Sequence, residues 1–198
     1  MDRGGESETL QSVGEGEYAY MRKTEIAAWT EQWDKQYLLE KSILETVFKD
    51  DLINIFHIGS TSIPTIGYAK PIIDILIVVK SIDKVDLYNN EMTALGYVPK
   101  GENGIDGRRY FSKGKNQKTH HVHIFQTGHE HIKIHLDFKA YLINNPVEAK
   151  KYGDLKVTLK NQYPNNHEKY QEGKQDFVNE LVVKAQRWAL QRKLSHFN

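Results

Sequence analysis

The chain is expected to fold as a mixed α/β (α+β) domain, a sheet flanked by helices with a helical C-terminal region, on three observations. Residues 54–58 and 72–79 are β-branched and apolar enough to be buried strands. Residues 83–95 read as a helix with an aspartate cap and a closing Gly96, after which Tyr97 and Val98 resume a strand. That strand–helix–strand crossover implies a partly parallel sheet. Beyond residue 129 the apolar spacing turns helical, punctuated by Pro146 and Pro164.

Taken in order, residues 1–20 are rich in Gly, Glu and Ser with few large apolar side chains, and read as a disordered tail or an added leader. Residues 21–198 then form one domain, with a sheet core over about 21–128 and a helical part over about 129–198. Residues 31–48 carry Trp33, Tyr37, Leu38, Ile43, Leu44 and Val47 near helical spacing, which predicts an amphipathic helix against the sheet. Gly59, Ser60, Thr61 and Ser62 follow the first strand with turn and cap chemistry and are expected to open a short helix. Residues 100–118 are loop-rich, with Gly101, Gly104, Gly107 and Gly114 around a short strand in GRRYF, and such loops often close over substrate. THHVHIF, residues 119–125, alternates as a strand. Helices follow from about 130, over 146–162 and over 167–191, the last with a stripe of Val178, Leu181, Val182, Ala185 and Trp188.

Composition narrows the function. At 198 residues the chain buries a substantial core without staples, and the absence of cysteine removes disulfides and thiolate chemistry and points to a reducing cytoplasm. The balance of 27 basic and 26 acidic residues gives no global attraction to long nucleic acid or to a membrane, and offers no hint of a protein partner. No apolar run approaches a bilayer span.

The chemistry concentrates between residues 57 and 79. Backbone N–H groups at the start of a helix, with the hydroxyls of Ser60 and Thr61 beside them, form an anion pocket that Gly59 lets a phosphate approach, and Lys70 adds positive charge. Asp74 stands inside the apolar run IIDILIVV, where a carboxylate is costly unless hydrogen-bonded, paired or bound to a metal. A phosphate cradle with a carboxylate on the next strand suits metal-assisted nucleotide chemistry. His121 and His123 share one face of their strand and can reach one ion or take a proton, and His57 is expected to join them. Arg108 and Arg109 suit phosphate oxygens, although alternation lets only one of them face a pocket. Tyr163, Tyr170 and Lys174 are the groups of the helical region suited to contact a substrate.

Together HIGSTSIP, AKPIIDI, RRYF, HHVHIF, YLINNPVEAKKYGDLK and YQEGKQDFV, spread over about residues 21–187, resemble the GrpB family and, more distantly, the nucleotidyltransferase superfamily. The resemblance implies a nucleotidyltransferase-like mixed sheet. It also implies transfer of a nucleoside monophosphate from a nucleotide to a small-molecule acceptor, with a divalent metal, Mg²⁺ or Mn²⁺ and alternatively Zn²⁺. Asp74, His121 and His123 are then the catalytic and metal-binding residues, and Gly59, Ser60, Thr61, Lys70, Arg108 and Arg109 hold the nucleotide. Two departures stand against full transfer of that pattern. The second acid of the superfamily strand is Leu76 here, and where the family resemblance implies Phe-Arg-Asp-Tyr-Leu this chain has Phe138, Lys139, Ala140, Tyr141 and Leu142, with Asp137 a turn earlier as substitute. Two other readings therefore stay open: a nucleotide- or coenzyme-binding module without transfer, and a His/Asp metal-dependent phosphoester hydrolase.

Overall fold

A computed structural model describes residues 24–195, so the expected tail lies outside the described residues. Five strands form the central sheet in the order β2-β4-β7-β6-β5: β2 (Leu52–Ile58), β4 (Ile73–Val79), β7 (His120–Gln126), β6 (Arg108–Lys113) and β5 (Tyr97–Pro99). A short ribbon of β1 (Ala27–Ala28) and β3 (Tyr68–Ala69) lies apart from it. The sheet is mixed, as expected, but its parallel pair is β4 with β7; the β2–β4, β6–β7 and β5–β6 pairs are antiparallel. The crossover after β4 thus carries the chain past two positions to the far edge, where β5 runs in the direction of β4 without touching it.

Alternation along β4 divides the molecule. Ile73, Ile75, Ile77 and Val79 meet Val122 and Ile124 in a core closed by Trp33, Leu44 and Phe48 of α1 (Gln32–Phe48) and by Met92 of α2 (Asn89–Ala94). The stripe of α1 differs from the expected one. Leu38 and Ile43 are exposed, and the carboxylate of Glu40 is buried instead, accepting from the Tyr97 hydroxyl at 2.8 Å and from Lys113 Nζ at 2.9 Å. A buried acid is tolerable on those terms, since its charge is both paired and hydrogen-bonded. The segment before α2 is a 3₁₀ helix over Asp83–Tyr88 without the expected aspartate cap.

The opposite face carries Asp74, Leu76 and Val78 beside His121, His123 and Phe125. Its apolar half packs under α3 (Glu130–Asn144), where Ile58, Leu76 and Phe125 meet Ile132 and Leu136. The N-cap of α3 is His129, whose ring accepts from the His131 N–H. Pro146 opens α4 (Pro146–Gln162) in the first turn, as expected, and α5 (His167–Ser195) runs four residues past the expected end. These three helices share a second core of Tyr141, Leu142, Tyr152, Leu181 and Ala185, into which Ile63 and Ile66 insert. The expected short helix after Gly59 is instead two 3₁₀ turns, Ser60–Ser62 and Pro64–Ile66. Pro64 explains the break, because it cannot donate to a continuing helical ladder. No helix among the described residues is long and apolar enough to cross a membrane.

Candidate functional site

Asp74 and His121 are the second residues of two parallel strands and lie directly across from one another. Their side chains leave the sheet on the same face, and His121 Nδ1 sits 3.1 Å from Asp74 Oδ1. Burial pushes the Asp74 carboxyl up, but the hydrogen bond to His121 and the positive charge of Lys70 help outweigh it and hold the carboxyl below its usual range. Gly59 seals one side. Its φ is +68°, and a Cβ there would overlap the Asp74 carboxylate, so the turn can approach the acid only as glycine.

The adjoining turn presents Ser60, whose Oγ accepts from Lys156 Nζ at 2.5 Å. Lys156 is 3% exposed and its ammonium lies 3.9 Å from the centre of the Tyr152 ring. Burial, with the charges of Lys174 and Lys70 added, pushes Lys156 well below the usual lysine range. Burial also lowers Lys174, which lies near the Tyr170 ring on α5. These groups open into one cavity of about 360 Å³, whose lining includes Ser60, Lys70, Lys156 and Lys174, the apolar Phe138, Val178 and Val182, and the Asp74–His121 pair. Asp74 is the one carboxylate among its described lining residues. Three lysines beside a single carboxylate, in a space of small-molecule size that apolar side chains also line, suit a multiply charged anion with an apolar part.

The other expected site residues fall at different distances from this cavity. Thr61 lines it, but its hydroxyl lies 3.1 Å from both His57 Nε2 and the Ile72 carbonyl oxygen, inside the fold. His57 does not join the other imidazoles. Strand alternation turns it to the α1 face, where it stacks on Tyr37 and pairs with Asp34. His123 shares the face of His121 but packs between Tyr110 and His135, and burial drives it down to about 3. Arg108 lies on that face as well, bonded to the carbonyls of Glu102 and Asn103 and 3.4 Å from His123. Arg109 points the other way and holds Asp86 with both arms of its guanidinium, so it is not a nucleotide contact of this cavity. Asp137 pairs with Lys133 away from the cavity, Lys139 donates to the His57 carbonyl, and Tyr163 stands against Lys169. Leu76 is fully buried, so nothing replaces the second acid on this strand.

Four polar lining residues were not anticipated: Lys156, Tyr152, His135 and Gln171. A readable signal existed for Lys156. It interrupts the buried stripe Ala149, Tyr152, Gly153 and Leu159 of α4, and a lysine in such a stripe is expected to aim at something. For a metal, Asp74 and His121 form a two-ligand set; no group of three or more His, Asp or Glu side chains among the described residues converges to hold an ion. Such a pair suits a cation whose remaining ligands come from substrate phosphates, rather than one caged by protein.

Residues 23–184 match the family described as GrpB protein. This chain belongs to the GrpB family. Among GrpB relatives it is 47% identical over 167 residues to the UPF0157 protein YqkA of Bacillus subtilis, a match covering 84% of this chain and 48% of YqkA. The chain therefore spans about half the length of that relative. It is 37% identical to the glutamate-rich protein GrpB of Alkalihalophilus pseudofirmus, over 79% of this chain and 92% of that one. The crystal structure of the conserved protein GrpB from Enterococcus faecalis superposes with a TM-score of 0.80 at 38% identity, covering 84% of this chain and 99% of that chain. The GrpB fold thus includes both the sheet and the helical region that together enclose the cavity.

Proposed function

We propose that this GrpB protein is a cytoplasmic nucleotidyltransferase-like enzyme that binds a nucleotide by its phosphates and passes the nucleoside monophosphate to a small acceptor. The observation that carries this reading is the meeting of Ser60 and three lysines with the Asp74–His121 pair in one cavity. In this mechanism Ser60, Lys70, Lys156 and Lys174 hold the β- and γ-phosphates and take up the charge that develops on the departing pyrophosphate. Asp74 orients the His121 ring, and His121 accepts the proton of the acceptor hydroxyl as its oxygen attacks the α-phosphorus. The P–O bond to the pyrophosphate breaks in line with that attack. A divalent cation, Mg²⁺ or Mn²⁺ with Zn²⁺ as the alternative, would be held by the Asp74 carboxylate together with the substrate phosphates and would neutralise their charge, leaving the His121 ring to take the proton.

Calorimetry with nucleoside triphosphates, with and without Mg²⁺ or Mn²⁺, followed by an assay of pyrophosphate release across small acceptors, tests this reading. Asp74→Asn is expected to lower turnover by about a hundred-fold or more while the thermal melt is preserved. Full activity in that variant removes Asp74 from the mechanism. The buried Leu76 favours a second reading, a nucleotide-binding module that does not transfer, and binding without pyrophosphate release in any acceptor mixture would support it.

A further inference from the structure

A second cavity, of about 460 Å³, adjoins the first: Lys70 and Ile72 line both. Ile72 immediately precedes β4, whose first residue, Ile73, donates to the Thr119 carbonyl at 2.9 Å, and Asp74 and His121 follow within two residues on either strand. A hydrogen bond at 3.1 Å between His167 and Gln171 completes the wall, His167 facing the second cavity and Gln171 the first. On α4, Lys156 and Lys160 are one turn apart, so a single helical stripe presents one lysine to each space.

The chemistry of the second cavity is specific. Lys118 and Lys160 join Lys70 and His167 around it, the amides of Asn116 and Gln117 add neutral donors and acceptors, and Glu25 is the single acid among its described lining residues. Such a lining favours a small polar molecule bearing an oxyanion, either carboxylate or phosphate, and disfavours an apolar or cationic one. We infer that this second cavity is the acceptor site: it holds a small hydroxyl- or amine-bearing molecule by its carboxylate or phosphate group and presents the nucleophile over the Lys70–Ile72 rim to the Asp74–His121 pair. The acceptor role rests on the transfer reading given above, whereas anion binding in this cavity stands without it.

Backbone amide shifts separate the two claims, because residues 116–118 report on the second cavity and Ser60 with Lys174 on the first. The full chain is first saturated with tripolyphosphate and then titrated with glycerol 3-phosphate in one arm and with glycerate in the other. Shifts of Asn116, Gln117 and Lys118 are expected in at least one arm, and the arm that responds tells phosphate from carboxylate. Lys160→Glu is expected to weaken that response about ten-fold or more, and Lys160→Met by less, while the tripolyphosphate response at Ser60 persists in both. Silence of residues 116–118 in both arms, or a response unchanged in Lys160→Glu, overturns the inference. Absence of the tripolyphosphate response at Ser60 and Lys174 counts instead against the nucleotide reading and leaves the second-cavity result to be read on its own.

Discussion

Gly59 and Lys156 show how single positions set the chemistry of the cavity. At Gly59 the left-handed backbone and the contact with Asp74 make the same demand, so Gly59→Ala strains the turn and displaces the carboxylate together. A destabilisation of about 1–3 kcal/mol in chemical denaturation is expected, with nucleotide binding weakened beyond what the lost stability explains. Lys156 makes a second demand. Burial and two neighbouring lysines disfavour its ammonium, and a bound polyphosphate reverses that balance. Binding should therefore take up a proton whenever the pH lies between the lowered pKa of the free protein and the higher one of the complex, and affinity should fall as pH rises through that window. Calorimetry of tripolyphosphate binding in buffers of different ionisation enthalpy measures the uptake, which Lys156→Met should reduce to the part that Lys174 contributes. Equal apparent enthalpies in every buffer would count against this account of Lys156.

At the scale of elements, α4 places Lys156 and depends on Gly153 to do so. Glycine inside a helix normally costs about 1 kcal/mol against alanine, so Gly→Ala there is ordinarily stabilising. Here a Cβ at Gly153 would overlap the carbonyl oxygen of Ile66, a backbone atom of the second 3₁₀ turn that has little room to yield. Gly153→Ala is accordingly expected to lower the melting temperature and to push α4 outward, withdrawing Lys156 from Ser60. A melting temperature raised by that substitution would show that the close approach is not required. The parallel strand pair at the centre of the sheet and the starts of two C-terminal helices were the most legible. The strands over 73–79 and 120–126 and the helices opening at Glu130 and Pro146 begin within a residue of where periodicity and proline place them. The turns after Gly59 were not legible as 3₁₀, because cap residues announce that a turn begins without specifying how tightly it winds.

Across the whole molecule, buried imidazoles, His57 and His135 as well as His123, tie the layers together and contribute to the response to acid. His57 joins α1 to the sheet through Asp34, and burial, aided by the Lys139 charge, pushes it down to about 4. His135 lies against Phe125 and His123 with its Nε2 unpaired, and burial, aided by the His131 and Arg108 charges, brings it to about 4 as well. The unfolded chain protonates each near its ordinary value of about 6.5, so between there and about 4 it binds more protons than the native state. Stability is thus complete above about pH 6.5 and declines as the pH falls, by about 2 kcal/mol per histidine at about pH 5. Urea denaturation at pH 7 and pH 5 should show the loss, and His135→Leu should remove about 2 kcal/mol of it. An unchanged midpoint across that interval would contradict the burial of both rings.

Periodicity, prolines and the apolar setting of Asp74 determined on their own a mixed α/β fold, the order of its elements and the strand that carries the acid, because each is a relation between near neighbours in the chain. Alternation also determined that Arg108 and Arg109 face opposite ways, while leaving open which of them faces inward. Only the tertiary structure decided that His57 turns away, that Arg109 is taken by Asp86, and that Lys156 reaches Ser60. The physical reason lies in distance along the chain. Lys156 and Ser60 are 96 residues apart and Asp74 and His121 are 47 apart, and no local pattern encodes a meeting that exists only once the sheet has paired and the helices have closed over it.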